Sequence, residues 1–255
     1  MTASQSLFDR LSKSHAATHN PFAMEIWANF ATTVADAVTL AGSKLEVPEI
    51  YAAYTSKLGW WRRKQRLNSI GTTVRIPSED AITDALVEQL EELRNDARPG
   101  NPLIDMNITF AGQQPRRRQN HIGSPAFTTD IRAYVPDNKN LDIRIEAKVL
   151  FEAKDLHSEY LGARGLLRFG DPENPYSDTP VGAMLGFIVA PSPEPWTSMI
   201  HDGLAQTVGA IDVGHVSVGK LPNPVSVCDM MHSRDERVTV LHLSIVQNTE
   251  PSSWY

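Results

Sequence analysis

Two β-type segments joined by a short turn constrain the fold of this 255-residue chain more than any other feature. Residues 127–135 and 141–150 are rich in apolar and β-branched side chains, which favour strands. The link between them, residues 136–140, reads PDNKN, and these residue types favour tight turns. We therefore predict that the two segments pair as an antiparallel hairpin.

The second segment has opposite chemistry on its two faces, because successive side chains of a strand point to opposite sides. Apolar residues occupy its odd-numbered positions, and Glu146 and Lys148 project together from the other face. We expect the hairpin to bring Asp130 beside Glu146. Two carboxylates and a lysine are groups that bind a hard divalent cation and control a water molecule. We assign Asp142 and Arg144, on the same charged face, to the rim of this site.

A second Glu-x-Lys triplet, Glu152-Ala153-Lys154, follows the first by six residues. We favour Glu146 and Lys148 because an uninterrupted apolar segment precedes them and Asp130 lies at a suitable hairpin distance. Glu152 falls where the strand is expected to end. The triplet alone is a weak motif, so the sequence leaves the choice between the two pairs open.

Upstream of the hairpin, the sequence predicts helices. Residues 23–40 have helical apolar spacing, and we assign residues 1–74 to an N-terminal helical subregion. Ser78 is an N-cap by residue type, and Glu79 lies in the positive first turn of the helix that follows. Four apolar side chains then form one stripe: Ile82, Leu86, Leu90 and Leu93. Residues 98–100 (RPG) end this helix.

The rest of the chain alternates strand and helix patterns without an internal repeat, which favours an α/β fold. The further segments are predicted strands at 104–110 and 238–246, an apolar run at 181–190, and predicted helices at 155–167 and 198–211. We assign residues 75–255 to one core that is continuous with the N-terminal subregion.

The charge balance bears on the kind of partner the chain binds. A net charge of −6 argues against a surface built for non-specific nucleic-acid binding, because phosphate contacts need clustered cations. Basic side chains are nevertheless clustered at two places: Arg62, Arg63, Lys64 and Arg66 beside Trp60 and Trp61, and Arg116, Arg117 and Arg118. Such clusters suit local contacts with phosphates. The alternative is a solvated helix face and a charged hairpin loop.

Composition and missing motifs exclude several classes of protein. No stretch reaches the roughly 18 apolar residues of a membrane-spanning helix, and the N-terminus lacks a signal peptide's apolar core, so we expect a cytoplasmic protein. The single cysteine, Cys228, forms no internal disulfide; with His232 and His242 it makes a weak alternative zinc motif. The absence of GxxxxGK[ST] and GxSxG disfavours nucleotide hydrolysis and serine-hydrolase chemistry.

The order of these motifs resembles that of the PD-(D/E)xK nuclease superfamily. Its core is a helix with an acidic residue, a hairpin with Asp, a strand with Glu-x-Lys and a further helix. Here these positions fall on Glu79, Asp130, Glu146 with Lys148, and the helix after Asp155. The resemblance covers roughly residues 75 to 246. It extends to residues 160–169, Tyr176 and residues 182–187, which look like a subgroup of bacterial nuclease-like proteins, but Thr129 stands where the family often has proline.

The resemblance implies an α/β (α+β) fold: a restriction-endonuclease-like core with a central mixed β-sheet flanked by helices. The N-terminal helical elaboration, predicted above from its own residues, lies outside the resemblance. It also implies a Mg²⁺ ion, replaceable by Mn²⁺, that is bound by Asp130, Glu146 and the carbonyl of Ala147. Lys148 is then expected to orient or help deprotonate the attacking water. Glu79 is expected to tie the helix to the metal site or to help hold a second ion.

These implications predict a metal-dependent endonuclease that hydrolyses phosphodiester bonds, with DNA as the favoured substrate. Small nucleases of this kind usually belong to prokaryotic restriction or antiphage defence. The acidic net charge suggests that a partner protein, or a second copy in a homodimer, supplies part of the grip on nucleic acid. Arg168 is a candidate phosphate contact, with a surface or salt-bridged arginine as the alternative.

Two other interpretations stay open. In the first, the same fold is a catalytically silent module that binds nucleic acid or a partner protein, and its carboxylates are structural. In the second, the chain is an unrelated α+β protein that binds a small ligand, and Asp130 and Glu146 lie far apart.

Overall fold

The computed structural model describes residues 5–62, 65–67, 71, 73–96, 98–115, 128–173, 175–189, 194–231 and 236–246. The helices within them are α1 (Leu7–Ser14), α2 (Pro21–Leu45), α3 (Pro48–Thr55), α4 (Glu79–Asn95), α5 (Pro102–Asp105), α6 (Ala153–Asp155) and α7 (Trp196–Gln206), with a π-helical turn (Leu156–Tyr160) and a 3-10 turn (Leu166–Gly170) after α6. The strands are β1 (Gln5–Ser6), β2 (Arg66–Leu67), β3 (Thr73–Val74), β4 (Thr109–Pro115), β5 (Thr128–Val135), β6 (Asn138–Leu150), β7 (Val181–Ile188), β8 (Ala210–Ser217), β9 (Val225–Met231) and β10 (Arg237–Val246).

Eight of these strands form one mixed sheet in the order β1-β8-β9-β10-β7-β6-β5-β4. Strands β6, β7 and β10 are parallel to one another, and β1 is parallel to β8. The other neighbours in the sheet are antiparallel, and β2 and β3 form a separate antiparallel ribbon. The predicted α/β fold with a central mixed sheet flanked by helices is therefore confirmed.

Two apolar cores cover the two faces of the sheet. Ile145 of β6 packs in the core that contains Phe30 of α2 and Leu86 of α4. Leu150 of β6 belongs instead to the core that contains Tyr160 and α7. Because odd and even positions of a strand face opposite sides, the even positions 146 and 148 lie on the same face as Leu150.

Helix α2 approaches the sheet closely at Gly42. A Cβ at this position would lie 2.5 Å from Ile245 Cδ1 of β10, so a larger residue would force the Ile245 side chain to shift. The helix begins where the side chain of Asn20 accepts a hydrogen bond from the N–H of Ala23, with Pro21 in the first turn. The N-terminal subregion thus contributes helices to the first core, and β1 extends the sheet beside β8.

The elements nearest the predicted site agree with the sequence. Strands β5 and β6 form the antiparallel hairpin, with Ile131 opposite Ile145. Helix α4 begins at Glu79 after Ser78, although the Ser78 side chain makes no capping hydrogen bond. Helix α2 and strand β10 also lie within or around the segments predicted for them, and β7 lies within the apolar run at 181–190.

Three predicted segments are wrong in part. Much of the predicted strand at 104–110 is helix α5 and a turn, because Asn101 caps that helix and Asn107 adopts a left-handed backbone (φ 51°) before β4. The predicted helix at 198–211 ends at Gln206, and Gly209 (φ 91°) turns the chain into β8. The predicted helix at 155–167 is an irregular series of short helical turns.

Candidate active site

Three acidic side chains converge on Lys148. Its Nζ donates hydrogen bonds to Glu146 Oε1 at 2.7 Å and to Glu79 Oε1 at 3.0 Å. It also donates to the carbonyl oxygen of Ala147 at 2.7 Å, and it lies 3.8 Å from Asp130 Oδ2. The structure therefore brings together every residue that was predicted to be catalytic or to bind metal.

The β5–β6 hairpin positions Asp130. Its Oδ2 accepts a hydrogen bond of 2.7 Å from the backbone N–H of Ala147, the residue between Glu146 and Lys148. The alternative interpretation, in which Asp130 and Glu146 lie far apart, disagrees with this arrangement. One lysine contacts both carboxylates.

Glu79 connects helix α4 to the same strand. Besides accepting from Lys148, it accepts a hydrogen bond from the backbone N–H of Val149 at 3.2 Å through Oε2. An acidic residue at a helix start is stabilised by the helix dipole. Glu79 does more than this, because it bonds both a side chain and the backbone of β6.

Burial changes the protonation of these groups. The side chains of Glu146, Lys148 and Asp130 are 6%, 9% and 16% exposed. Burial, followed by the nearby Asp130 charge, raises the pKa of Glu146 to about 8. Burial also raises the pKa of Asp130 to about 6, although Lys148 opposes that shift. Burial lowers the pKa of Lys148, but the three carboxylates outweigh it and raise that pKa above its usual value.

Tyr176 is a member of this cluster that the sequence did not identify as a site residue. Its hydroxyl donates to Glu146 Oε1 at 3.0 Å and lies 3.3 Å from the carbonyl oxygen of Arg164. Burial, together with the charge of Glu146, raises the pKa of Tyr176 well above its usual value. No periodic pattern links Tyr176 to Glu146, since the chain between them passes through irregular turns.

The second Glu-x-Lys pair lies apart from this cluster. Lys154 Nζ contacts Glu152 Oε2 at 2.6 Å, and Lys154 is 68% exposed. Glu152 also contacts Arg66 and forms a capping box with Asp155 at the start of α6. The geometry therefore favours Glu146 and Lys148 over Glu152 and Lys154.

The predicted basic contacts have different surroundings. Arg62 lies 3.9 Å from Glu79 Oε2, at the edge of the cluster. Arg66 donates to both oxygens of Asp155 at 2.9 Å and lies over the ring of Phe151, so its guanidinium is engaged within the protein. Arg168 Nε donates to the Ala163 carbonyl at 3.1 Å. The other predicted contacts lie outside the described residues: Arg63, Lys64, Arg116, Arg117 and Arg118.

Asp142 and Arg144, which were assigned to the rim, form an ion pair with each other. Arg144 Nε lies 3.0 Å from Asp142 Oδ1, and Arg132 contacts the same carboxylate at 2.8 Å. The alternative zinc motif gains no support from His242. Its two ring nitrogens face Cys228 Sγ at 3.5 Å and Tyr160 Oη at 3.2 Å, and His232 lies outside the described residues.

A separate cleft of about 950 Å³ lies where α7 meets the ends of β8, β9 and β10. It contains His201 and His215, whose rings stack with centroids 4.0 Å apart. None of Glu79, Asp130, Glu146 or Lys148 lines it. The carboxylate cluster is the stronger candidate site, because convergent charged groups with shifted pKa values are better evidence for a functional site than cavity volume.

Comparison of the chain with protein families, with curated proteins and with solved structures gives no match. Within the described part of the chain, no helix combines the length and hydropathy needed to cross a bilayer. In the same residues, no group of three or more His, Cys, Asp and Glu side chains is arranged to hold a metal ion. In the carboxylate cluster, the ammonium group of Lys148 lies between the acidic side chains.

Proposed function

We propose that this protein is a metal-dependent endonuclease with a restriction-endonuclease-like core, and that DNA is its favoured substrate. The observation that carries the proposal is the convergence of Asp130, Glu146 and Lys148 from two adjacent strands. The order of elements supports it too. Helix α4, the β5–β6 hairpin and the turns after β6 supply the site in the order that the resemblance predicts.

The donor set fits Mg²⁺ or Mn²⁺. Carboxylate and carbonyl oxygens are the ligands that hard cations prefer, and Asp130, Glu146 and Ala147 supply them. Glu146 Oε2 is buried and has no hydrogen-bond partner among the described residues. A buried carboxylate oxygen without a partner is costly, and a divalent cation would satisfy it. A cation would also favour the ionised forms of Asp130 and Glu146, whose pKa values are raised by burial without it.

Each residue then has a defined task. Asp130 and Glu146 hold the cation, and Glu79 holds Lys148 and anchors β6 to α4. Lys148 orients the attacking water and offsets negative charge on the phosphate. When bound, the metal polarises the phosphoryl oxygen and lowers the pKa of the attacking water. Water would add in line to phosphorus as the bond to the leaving 3′ oxygen breaks; the proton that the water loses would pass to bulk solvent, and the 3′ oxygen would take one from solvent, which gives a 5′-phosphate and a 3′-hydroxyl end.

The acidic net charge bears on how nucleic acid is held. Arg62 is the described basic residue at the edge of the cluster, since Arg66 is occupied by Asp155. A partner protein or a second copy of the chain supplies further phosphate contacts in this proposal. A role in prokaryotic restriction or antiphage defence rests on the resemblance alone.

Cleavage assays test the proposal. Supercoiled plasmid and single-stranded DNA are incubated with Mg²⁺, Mn²⁺ or EDTA. The wild-type protein is expected to cut with either metal and not with EDTA, and Glu146→Ala and Lys148→Ala are expected to lose cutting. Glu152→Ala and Lys154→Ala are the matched controls and are expected to retain it. Cutting that needs Glu152 instead would move the active site to the second pair.

A second candidate is the catalytically silent module, and one observation favours it. Lys148 already neutralises the cluster, with three carboxylates within 4 Å. Calorimetry separates the two candidates, because the silent module needs no cation. Absence of Mg²⁺ and Mn²⁺ binding would support the silent module and count against the nuclease.

A further inference from the structure

The two carboxylate oxygens of Glu146 have unequal surroundings. Oε1 lies 2.7 Å from Lys148 Nζ and 3.0 Å from the hydroxyl of Tyr176, and each of these groups donates to it. Oε2 is buried, yet among the described residues it has no hydrogen-bond partner. The two donors thus fix Oε1, and Oε2 is left without a hydrogen-bond donor.

Tyr176 is itself held firmly. Its backbone N–H donates to the Arg168 carbonyl at 3.1 Å, and its ring packs edge-to-face on Phe169 with centroids 5.4 Å apart. Phe169 in turn lies against Gly182 of β7, where a Cβ would meet the ring. The side chain of Tyr176 is buried in this packing. The hydroxyl therefore has a defined position relative to β6.

We propose that Tyr176 is a positioning residue for the metal ligand Glu146. Its hydroxyl and Lys148 hold Oε1, and the carboxylate consequently presents Oε2 to a divalent cation beside Asp130. This inference rests on the proposed function. It assigns a role in the site to a residue that lies 30 positions away from Glu146 in the chain.

The physical reason is preorganisation. A free carboxylate rotates about its last bond, and fixing that rotation before the cation binds removes part of the ordering cost. Groups that hydrogen-bond to a metal ligand typically change metal affinity by about 10- to 100-fold. The hydroxyl has one proton and two acceptors within reach, Glu146 Oε1 and the Arg164 carbonyl. The contact with Glu146 Oε1 is the shorter of the two.

The test is the Mn²⁺ affinity of full-length Tyr176→Phe, measured from the electron paramagnetic resonance signal of free Mn²⁺. Phenylalanine keeps the ring against Phe169 and removes the hydroxyl. We expect Mn²⁺ to bind about 10-fold more weakly, with an unchanged DNA affinity. Cleavage is expected to return toward the wild-type rate as Mn²⁺ is raised, which a general loss of structure would not produce.

Tyr160→Phe is the matched control. Tyr160 is another buried tyrosine on the same face, and its hydroxyl lies 3.2 Å from His242 Nδ1 with no contact to Glu146. Its substitution removes a buried hydroxyl of the same kind and is expected to leave Mn²⁺ affinity unchanged. An equal loss in both variants would show a nonspecific effect and overturn the proposal.

The outcomes separate this inference from the proposed function. If the wild type and Tyr176→Phe bind Mn²⁺ with equal affinity, the positioning role of Tyr176 is overturned, and the proposed nuclease function still stands. Absence of Mn²⁺ binding by the wild type overturns both. If Tyr176→Phe does not fold, ultraviolet difference spectra of the wild type give the answer. Mg²⁺ is expected to perturb tyrosine absorption, and an unchanged spectrum at saturating Mg²⁺ contradicts the proposal.

Discussion

Asp130 Oδ2 accepts a hydrogen bond of 2.7 Å from the backbone N–H of Ala147. Ala147 lies between Glu146 and Lys148, so this bond ties the first strand of the hairpin to the position where the second strand carries Glu146 and Lys148. A backbone donor keeps its place when side chains move. Asp130 is therefore fixed by the hairpin itself, and the cluster depends on correct pairing of β5 with β6.

Glu146→Gln is expected to stabilise the metal-free protein at pH 8. Burial raises the pKa of Glu146 to about 8 from an ordinary value of 4.5. Between these values the unfolded chain has lost the proton and the folded chain keeps it, so wild-type stability falls as pH rises. Glutamine cannot ionise, and we expect about 2 kcal/mol more stability than the wild type at pH 8 in EDTA. Thermal unfolding at pH 5 and pH 8 measures this.

Mg²⁺ should reverse the difference in stability between the wild type and Glu146→Gln at pH 8. If the wild type binds the cation at Glu146, added Mg²⁺ raises the unfolding temperature of the wild type and not of Glu146→Gln. Equal stability of the two proteins at pH 8 in EDTA would contradict the burial argument.

Glu79→Ala is expected to cost both stability and activity. The substitution removes the acceptor for Lys148 Nζ and for the N–H of Val149, which join α4 to β6. We expect a loss of about 1–2 kcal/mol in unfolding free energy and a lower cleavage rate. Asp80→Ala is the control, because Asp80 is the exposed acidic neighbour in the same first turn. If both substitutions have the same effect, Glu79 contributes through the helix dipole alone.

His15 is expected to contribute less to stability in acid than at neutral pH. Burial lowers the pKa of His15 to about 4, although Asp229 opposes the shift. Between pH 6.5 and 4 the unfolded chain binds a proton at His15 that the folded chain does not, so the contribution of His15 to stability declines as pH falls, opposite in sign to that of Glu146. His15 lies 3.2 Å from Thr239 Oγ1, which donates to Asp229. In urea unfolding, His15→Asn should remove this contribution, so its stability at pH 4 relative to pH 6.5 should be higher than that of the wild type, and His157→Asn, an exposed control, should not differ from the wild type in this way.

Arg62 and Arg66 are expected to differ when each is replaced by alanine. Arg62 is 38% exposed and lies at the edge of the cluster, so its loss should weaken DNA binding and leave stability unchanged. Arg66 pairs with Asp155, whose side chain is 8% exposed, and its loss should cost about 1–3 kcal/mol of stability. Fluorescence anisotropy with labelled DNA and thermal unfolding measure the two effects. Strong DNA-binding loss in Arg66→Ala without destabilisation would contradict this distinction.

The sequence predicted the parts of the fold that depend on local patterns. Alternation in residues 141–150 identified β6 and its charged face, and the stripe from Ile82 to Leu93 identified α4. Hairpin pairing then placed Asp130 beside Glu146 without any long-range information. These predictions succeeded because hydrophobic periodicity and turn-forming residues determine structure within a few neighbouring residues of the chain.

The remaining features depend on contacts that no local pattern encodes. Strands β8 and β9 were not predicted, since β8 is exposed along much of its length and lacks clear alternation. The role of Tyr176 depends on an irregular path through the π-helical and 3-10 turns. Arg66 pairs with Asp155, which lies 89 positions away in the chain. The sequence alone therefore could not show that Arg66 is paired within the protein and is not part of a free basic cluster.

The most direct test of the carboxylate cluster is a crystal structure of the protein soaked with Mn²⁺, with anomalous data collected. We predict one anomalous peak in contact with Asp130 and Glu146 Oε2, and its loss in Asp130→Ala. A well-ordered cluster without a peak, with Lys148 still bonded to all of its present acceptors, would contradict the account.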